Sequence, residues 1–321
     1  MTMGMRVLIT GCSGFVGSHL SRYLLRDGYD VVGIDLVEAR VGAEFRRCDV
    51  TRKPDLDRVF SEAQPEFVVH LAALCSARES NADPYPTFLV NTLGTLNVAE
   101  CCSRHGARML LMSSAAVLGP TPPEVPVTEE NWVYDPRSGY AYSKVAAEQV
   151  FWQYVRNKGL EGVLFRSWNL VGEGCRGTIV SLLASLAVEG RPITLYCFGR
   201  QVMDVNYVGN LCEAVRLVID GGEGAGEMFH IGSGRPVTLK WVVERLIEHS
   251  RSASKVVLAP PRKGEVPIRS YPSIEKARRV LGYNPAVAVE EAIRRTIGGD
   301  DAGGHGDLAQ ETAGGGDEDM G

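Results

Sequence analysis

Two residues able to move a proton stand four positions apart, Tyr140 and Lys144, within SGYAYSKVAAEQVFWQYVRNKG (138–159). The stretch has a helical pattern, so their side chains share one face, a turn apart. A free tyrosine ionises near pH ~10 and is a poor base at neutral pH. Lowering it by ~3 units takes about 4 kcal/mol of preferential stabilisation of the phenolate. One cation about 4 Å away, at an effective dielectric of ~20, supplies about that much, so Lys144 is expected to make a base of Tyr140. Ser113 and Ser114 close the apolar run ARMLLMSS (107–114) and can offer a hydroxyl to the oxygen whose proton Tyr140 removes. Each feature also has an ordinary reading: Y-x-x-x-K spacing occurs on solvated helix faces, and serines at strand ends often only form turns. Tyr142 points away from Lys144 and reads as packing.

What would position these groups is an alternation of buried strand and helix. MRVLIT (5–10), VVGID (31–35), EFVVHLA (66–72), ARMLLMSS and GVLFRSW (162–168) read as strands, separated by helical stretches such as SHLSRYLLRDGY and PYPTFLVNTLGTLNVAECCSRHG. Parallel strands need such crossovers, so the expected fold class is α/β, a Rossmann-type doubly wound parallel sheet with helices on both faces. Ser113 and Ser114 then lie at the carboxyl end of the sheet, where such folds place ligands. Beyond Gly172 the rhythm loosens into a loop, a helix and a strand, which predicts a smaller α/β substrate-binding domain. The expected organisation is a dinucleotide-binding domain over 1–172, with 205–234 returning to it and Asn210 capping a helix there. Residues 173–297 form mainly the substrate domain, ending in a helix, a short strand and a final helical stretch. Residues 298–321 are glycine-rich and acidic, cannot bury apolar area and should be disordered.

Between the first strand and first helix runs Gly11-Cys12-Ser13-Gly14-Phe15-Val16-Gly17. Three glycines there permit a tight turn, close approach of the backbone to a pyrophosphate, and close helix–sheet packing, while the helix N-terminus offers N–H donors to phosphates. A glycine run alone can be only a turn. This one follows a strand, opens a helix, and is trailed by Asp35 at the end of the second strand, eighteen residues after Gly17. A carboxylate there accepts hydrogen bonds from both adenosine ribose hydroxyls and repels a 2′-phosphate, which favours NAD over NADP. Arg40, Arg46 and Arg47 lie nearby and keep NADP open. The positive nicotinamide ring would add to Lys144 in lowering Tyr140.

Composition excludes other classes. A net charge of −5 without any Lys/Arg run argues against nucleic-acid binding. The N-terminus lacks a secretory pattern and no apolar run reaches the ~18 residues of a membrane span, so a cytoplasmic protein is expected. The eight cysteines form neither C-x-x-C nor a Cys/His cluster, which reads as reduced, mostly buried thiols and no metal site.

Taken in order, TGCSGFVGSHL (10–20), VVGIDL (31–36), CDV (48–50), HLAA (70–73), NTLGTLNVAE (91–100), MSSAAVLG (112–119), YAYSK (140–144), FRSWNLVG (165–172), FHIGSG (229–234) and PRKGEVP (261–267) resemble the extended short-chain dehydrogenase/reductases. The resemblance is closest to their NAD-dependent sugar-nucleotide epimerase/dehydratase branch and runs from about residue 5 to 297. It implies Ser114, Tyr140 and Lys144 as the catalytic group, with Tyr140 the base. It implies Gly11, Ser13, Gly14, Phe15, Val16, Gly17, Asp35, Asp49, Val50, Leu71, Ala72, Ala73 and Asn91, with Tyr140 and Lys144, as the NAD-binding set. Ser114, Asn169 and Arg262 would contact a nucleotide-sugar substrate, Arg262 at its diphosphate. Similarity to the 4-epimerases of this branch implies removal of the C4 hydroxyl proton by Tyr140 with hydride transfer to NAD, rotation of the 4-keto sugar, and return of the hydride to its other face. The resemblance also implies a homodimer through the Tyr140 helix and the helix after HLAA.

Departures from the pattern bear on the substrate. Dehydratases resemble Thr-Asp-Glu after the serine, and decarboxylases Thr-Ser-Glu; eliminating water needs an acid and a base beyond the tyrosine. This chain has Ala115 and Ala116, which favours oxidation and re-reduction. Met203-Asp204 stands where the branch usually has Arg-Asp, Asn210 replaces its usual acid, and Leu118 replaces a tyrosine. Charge-assisted hydrogen bonds to phosphate are strong, so the lost arginine signals weaker nucleotide binding or another substrate, unless Arg176, Arg200 or Lys263 replaces it. Three readings stand: a nucleotide-sugar 4-epimerase; an oxidoreductase or lyase on the same scaffold, acting on a sugar nucleotide or a smaller alcohol; and a catalytically silent NAD-binding regulator, against which the intact Ser114, Tyr140 and Lys144 set counts.

Overall fold

The structure is a computed structural model and describes residues 4–38, 41–118, 125–221, 224–262 and 269–298. Its strands are β1 (Arg6–Thr10), β2 (Asp30–Asp35), β3 (Glu44–Arg47), β4 (Phe67–His70), β5 (Arg108–Ser114), β6 (Gly162–Ser167), β7 (Asn169–Val171), β8 (Ile193–Leu195), β9 (Val202–Tyr207), β10 (Met228–Ile231), β11 (Pro236–Thr238), β12 (Val256–Leu258) and β13 (Arg269–Ser270). The helices are α1 (Phe15–Arg26), α2 (Lys53–Ala63), α3 (Ala77–Ala82), α4 (Pro84–Phe88), α5 (Gly94–His105), α6 (Gly139–Lys158), α7 (Ile179–Val188), α8 (Val208–Gly221), α9 (Leu239–Ser250), α10 (Glu275–Leu281) and α11 (Val289–Gly298).

Seven strands form one parallel sheet in the order β10-β6-β5-β4-β1-β2-β3. Successive strand residues point to opposite faces, and the core divides accordingly. Val7 and Ile9 pack with Leu20 and Leu24 of α1, Leu211 and Val215 of α8, and Tyr283. Leu8 packs on the other face with Leu56 and Phe60 of α2, Val98 of α5 and Phe151 of α6. These are the doubly wound layers expected of buried strands alternating with helices.

A smaller sheet centres on β9, which pairs with β7 and β13 in parallel and with β11 antiparallel. Residues Val180, Val205, Val242 and Ile293 join it to α7, α9 and α11 in a separate core. The segment read as returning to the main sheet divides here. β9 stays in the small sheet, α8 packs on α1, and β10 joins β6. Asn210 is not a cap: it lies in the first turn of α8, 3% exposed, with its amide on Asn206 Oδ1 and on the carbonyl and N–H of Val287. Such an amide satisfies the backbone of a buried crossing segment instead of its own helix end. The final helical stretch is two helices, α10 and α11, with the Gly282 left-handed turn ending the first (φ 71°). Within the described residues, no helix is long and apolar enough to cross a membrane. Residue 298 closes α11, and the tail expected to be disordered otherwise lies outside the described residues.

Candidate active site

Strand β5 delivers Ser113 and Ser114 to the carboxyl end of the sheet, and α6 crosses that end. The first turn of α6 leaves its amides without helical partners. Ser138 caps the Ala141 N–H, Ser80 of α3 takes the Tyr140 N–H at 2.8 Å, and Asn81 takes the Gly139 N–H at 2.9 Å. Tyr140 is thus fixed by backbone contacts before its side chain does anything. One turn on, Lys144 is 6% exposed and donates from Nζ to the Met112 carbonyl at 3.0 Å. Ser113 is buried and donates to Glu148, while Ser114 turns the other way. Ser114, Tyr140 and Lys144 line one cavity of about 1030 Å³ bounded by the carboxyl end of the main sheet, the small sheet and the start of α7.

The electrostatics of the pair differ from the expectation. Tyr140 is held above its ordinary ionisation range, by burial first and then by the neighbouring Cys75 thiol, while the Ser114 hydroxyl, by donating to the phenolic oxygen, pulls the other way. Burial pulls the Lys144 ammonium down, against Cys75 and Glu148, which hold it up. Lys144 alone therefore does not make Tyr140 a base at neutral pH. A buried cation and a buried phenol both pay desolvation, a cost the helical spacing cannot reveal. His70, buried between Thr10 and Thr95, is pushed down to about 3 by burial and then by Lys144, so it is neutral at physiological pH.

A dinucleotide cradle lies beside this cavity. Gly11 has φ +70°, and a Cβ on it would come within 2.8 Å of the Ala72 nitrogen; a Cβ on Gly17 would lie 2.1 Å from the Gly11 carbonyl oxygen. Only glycine fits the turn and the helix–strand contact. Gly14, by contrast, has a Cβ direction open apart from the Gly11 oxygen at 3.3 Å, so its backbone faces free space at the N-terminus of α1. Asp35 accepts from the N–H of Ser13 at 3.0 Å and of Leu36 at 2.7 Å, which draws its carboxylate onto the glycine turn. The residues present fit a dinucleotide. Arg46 is occupied by Glu44 and Glu62 on the outer edge of the sheet, and Arg40 lies outside the described residues.

Phe15, Val16, Leu71 and Ala73 line the cavity wall on the cradle side, and the Ala72 N–H is held by Thr10 Oγ1. Asn169 lines the opposite part, its amide donating to the Asp204 carbonyl. Other expected contacts are not brought to the wall. Asn91 is buried, with its amide spent on both backbone groups of Leu74 and on Ser143 Oγ, where it braces the post-β4 loop against α6. Asp49 caps its own turn through Thr51, and Val50 packs against Gly94 of α5. Arg262 stacks 3.9 Å from the Tyr196 ring centre and is not among the described lining residues. Tyr142 is 55% exposed and does not pack in a core. The eight cysteines are free and six are buried, but Cys75 is exposed in the cavity beside Tyr140, two residues past HLAA; no sequence signal marked it. Within the described residues, no metal-binding cluster occurs.

Parallel sheet, glycine cradle and the Ser114, Tyr140 and Lys144 constellation together define a Rossmann-type enzyme of the extended short-chain dehydrogenase/reductase kind. The chain belongs to the NAD dependent epimerase/dehydratase family, whose sequence model matches residues 7–232. It is 31% identical over 311 residues to a UDP-glucose 4-epimerase of Mycolicibacterium smegmatis, covering 91% of this chain and 97% of that one. It is 30% identical over 308 residues to UDP-glucuronic acid decarboxylase 1 of Danio rerio, covering 91% and 72%. The solved UDP-glucose 4-epimerase of Thermus thermophilus, a complex with NAD, superposes with a TM-score of 0.82 at 33% identity, covering 92% of this chain and 98% of that one.

Proposed function

We propose that this protein is an NAD-dependent 4-epimerase of a nucleotide sugar, with a UDP-hexose, its N-acetyl form or its uronate as substrate. The observation that carries the reading is the cavity wall beyond Ser114. Ala115 and Ala116 line it, so the chemistry there falls to Ser114, Tyr140 and Lys144. Abstraction of the C4 hydroxyl proton by Tyr140, with Ser114 holding that oxygen, converts the alcohol to a ketone as hydride leaves C4. When bound, NAD would supply the acceptor and donor for that hydride. Delivery to the other face of the 4-keto sugar, with Tyr140 giving the proton back, yields the epimer. Gly11 to Gly17 and Asp35 hold the cofactor, and Asp35 with Arg46 already paired favours NAD over NADP. The cavity is at the upper end for small-molecule sites, which suits a ligand of nucleotide-sugar size beside a dinucleotide.

A homodimer is part of the proposal. Tyr85, Phe88, Leu93 and Leu96, together with Tyr142 of α6, leave an apolar surface exposed along the helices flanking the site. A second reading, a net dehydrogenase of a smaller alcohol, draws on the uncharged Met203 in the cavity wall. The test is proton NMR of the purified protein with UDP-glucose, UDP-galactose, their N-acetyl forms and UDP-glucuronate in deuterated water without added cofactor. The 4-epimer without deuterium at C5 is expected. Keto or deoxy products carrying solvent deuterium would instead indicate dehydration, and turnover only with added NAD would favour the dehydrogenase.

A further inference from the structure

The geometry points to Arg176 as the residue that binds the anionic part of the substrate, a phosphate or a carboxylate; this rests on the cavity being a nucleotide-sugar site. A nucleoside diphosphate brings at least two negative charges, and among the described residues the cavity wall offers three cations to meet them: Lys144, Arg137 and Arg176. Lys144 is buried and donates to the Met112 carbonyl. Arg137 is paired with Asp135, at 2.9 Å, which lines the same wall and cancels its charge there. Arg176 alone of the three has no carboxylate, carbonyl or ring partner among the described residues.

The loop that presents Arg176 is anchored at both ends. The Cys175 N–H returns to the Gly172 carbonyl, the Cys175 thiol contacts the Leu170 carbonyl and Thr178, and Thr178 makes a reciprocal capping box with Ser181 at the start of α7. Glu173 ties the same loop to both halves of the protein. Its carbonyl contacts His19 of α1, at 2.8 Å, and its carboxylate takes the Tyr207 hydroxyl of β9 at 3.0 Å. Gly174 and Gly177, both at positive φ, bracket the arginine in a tight excursion. The guanidinium is therefore offered to the cavity from a fixed backbone with its charge unspent, an arrangement that lowers the entropic cost of gripping a ligand. Met203, across the same wall, brings an apolar side chain and no charge, so nothing there competes for the anion. Arg200 lies over the Phe198 ring, outside the described lining, and Lys263 is outside the described residues.

The test is calorimetric titration of the NAD-loaded full chain with UDP, UDP-glucose and UDP-glucuronate. An Arg176→Gln variant should bind about 10- to 100-fold more weakly, the loss of one charge-assisted hydrogen-bonded contact. Arg176→Lys should regain part of the affinity, and Arg200→Gln should match the wild type. Weakening of all three ligands assigns the phosphate; weakening of UDP-glucuronate alone assigns the carboxylate. Wild-type affinity of Arg176→Gln for all three overturns the inference while leaving the proposed function intact. Failure of the wild type itself to bind any of them overturns the nucleotide-sugar reading on which it rests.

Discussion

Removing the Glu148 carboxylate should cost the protein about 3–5 kcal/mol, because Glu148 and Arg166 are an ion pair with no solvent exposure on either side chain. Glu148 accepts from Arg166 Nε at 2.9 Å and Nη2 at 2.5 Å, from Ser113 Oγ at 2.5 Å and from Tyr134 Oη at 2.8 Å. The guanidinium also lies 3.8 Å from the centre of the Trp132 ring, and its Nη1 has no hydrogen-bond partner among the described residues. Glu148→Ala strands a buried cation and two hydroxyl donors at once. With an unfolding entropy of about 2 cal/mol/K per residue, or roughly 0.6 kcal/mol/K for a chain of this size, the loss corresponds to a melting temperature about 5–8 °C lower. Scanning fluorimetry with urea unfolding reads both quantities. Arg166→Met alone strands the carboxylate instead and should lower the melting temperature as well. The double variant Glu148→Leu with Arg166→Met should recover most of the loss, since apolar replacement of a buried pair is often near neutral. A shift under 2 °C for Glu148→Ala would refute the claim that this pair is desolvated and mutually dependent. So would strictly additive effects of the two single changes.

Tyr140→Phe should lower kcat by about 100- to 10,000-fold while leaving the amount of bound NAD unchanged, measured by sugar-product NMR and by cofactor released on denaturation; retained turnover removes Tyr140 as the base. Gly17→Ala should destabilise the protein and abolish NAD binding, because its Cβ would lie 2.1 Å from a backbone oxygen. Gly14→Ala should leave the melting temperature within about 2 °C yet weaken NAD, since only the ligand side of that residue is open; equal effects at the two glycines would contradict the cradle. Acid should destabilise the fold before most carboxylates titrate. His70 and His230 are each held at about 3 by burial, against ~6.5 unfolded, so the unfolded chain takes up two more protons and stability falls as pH drops through 6.5. Asp204, raised to about 6 by burial in spite of its bonds to Ser233, opposes this because the folded state takes its proton first. For these three groups the balance near pH 5 is about one proton, a loss of about 1–2 kcal/mol per pH unit of acidification. Urea midpoints between pH 7 and 4.5 test the sign, and a midpoint that rises toward acid contradicts it.

The sequence by itself determined the parts of this protein that depend on local chemistry. Buried strands alternating with amphipathic helices fix the doubly wound sheet, because a parallel strand has no other way back. The glycine run from Gly11 to Gly17 could be read once its setting between a strand and a helix, with Asp35 after it, was taken together with its spacing. Helical period put Tyr140 and Lys144 on one face and the strand end offered Ser113 and Ser114 alike, with only the family resemblance choosing Ser114; the folded chain turns Ser113 to Glu148 and Ser114 to Tyr140. What tertiary structure decided is where each polar group spends its hydrogen bonds and how much water it loses. Asn91 and Asn210 read as a site residue and a cap, yet each amide is spent on the backbone of another segment and on a neighbouring side chain. Lys144 has the right spacing to charge Tyr140, yet burial moves both groups the wrong way. Of three arginines or lysines considered as the missing cation, sequence ranks none; the folded chain puts Arg176 into the cavity and sets Arg200 on an aromatic ring outside it. Desolvation and pairing are sums over neighbours far apart in the chain, so no local pattern of residues can carry them.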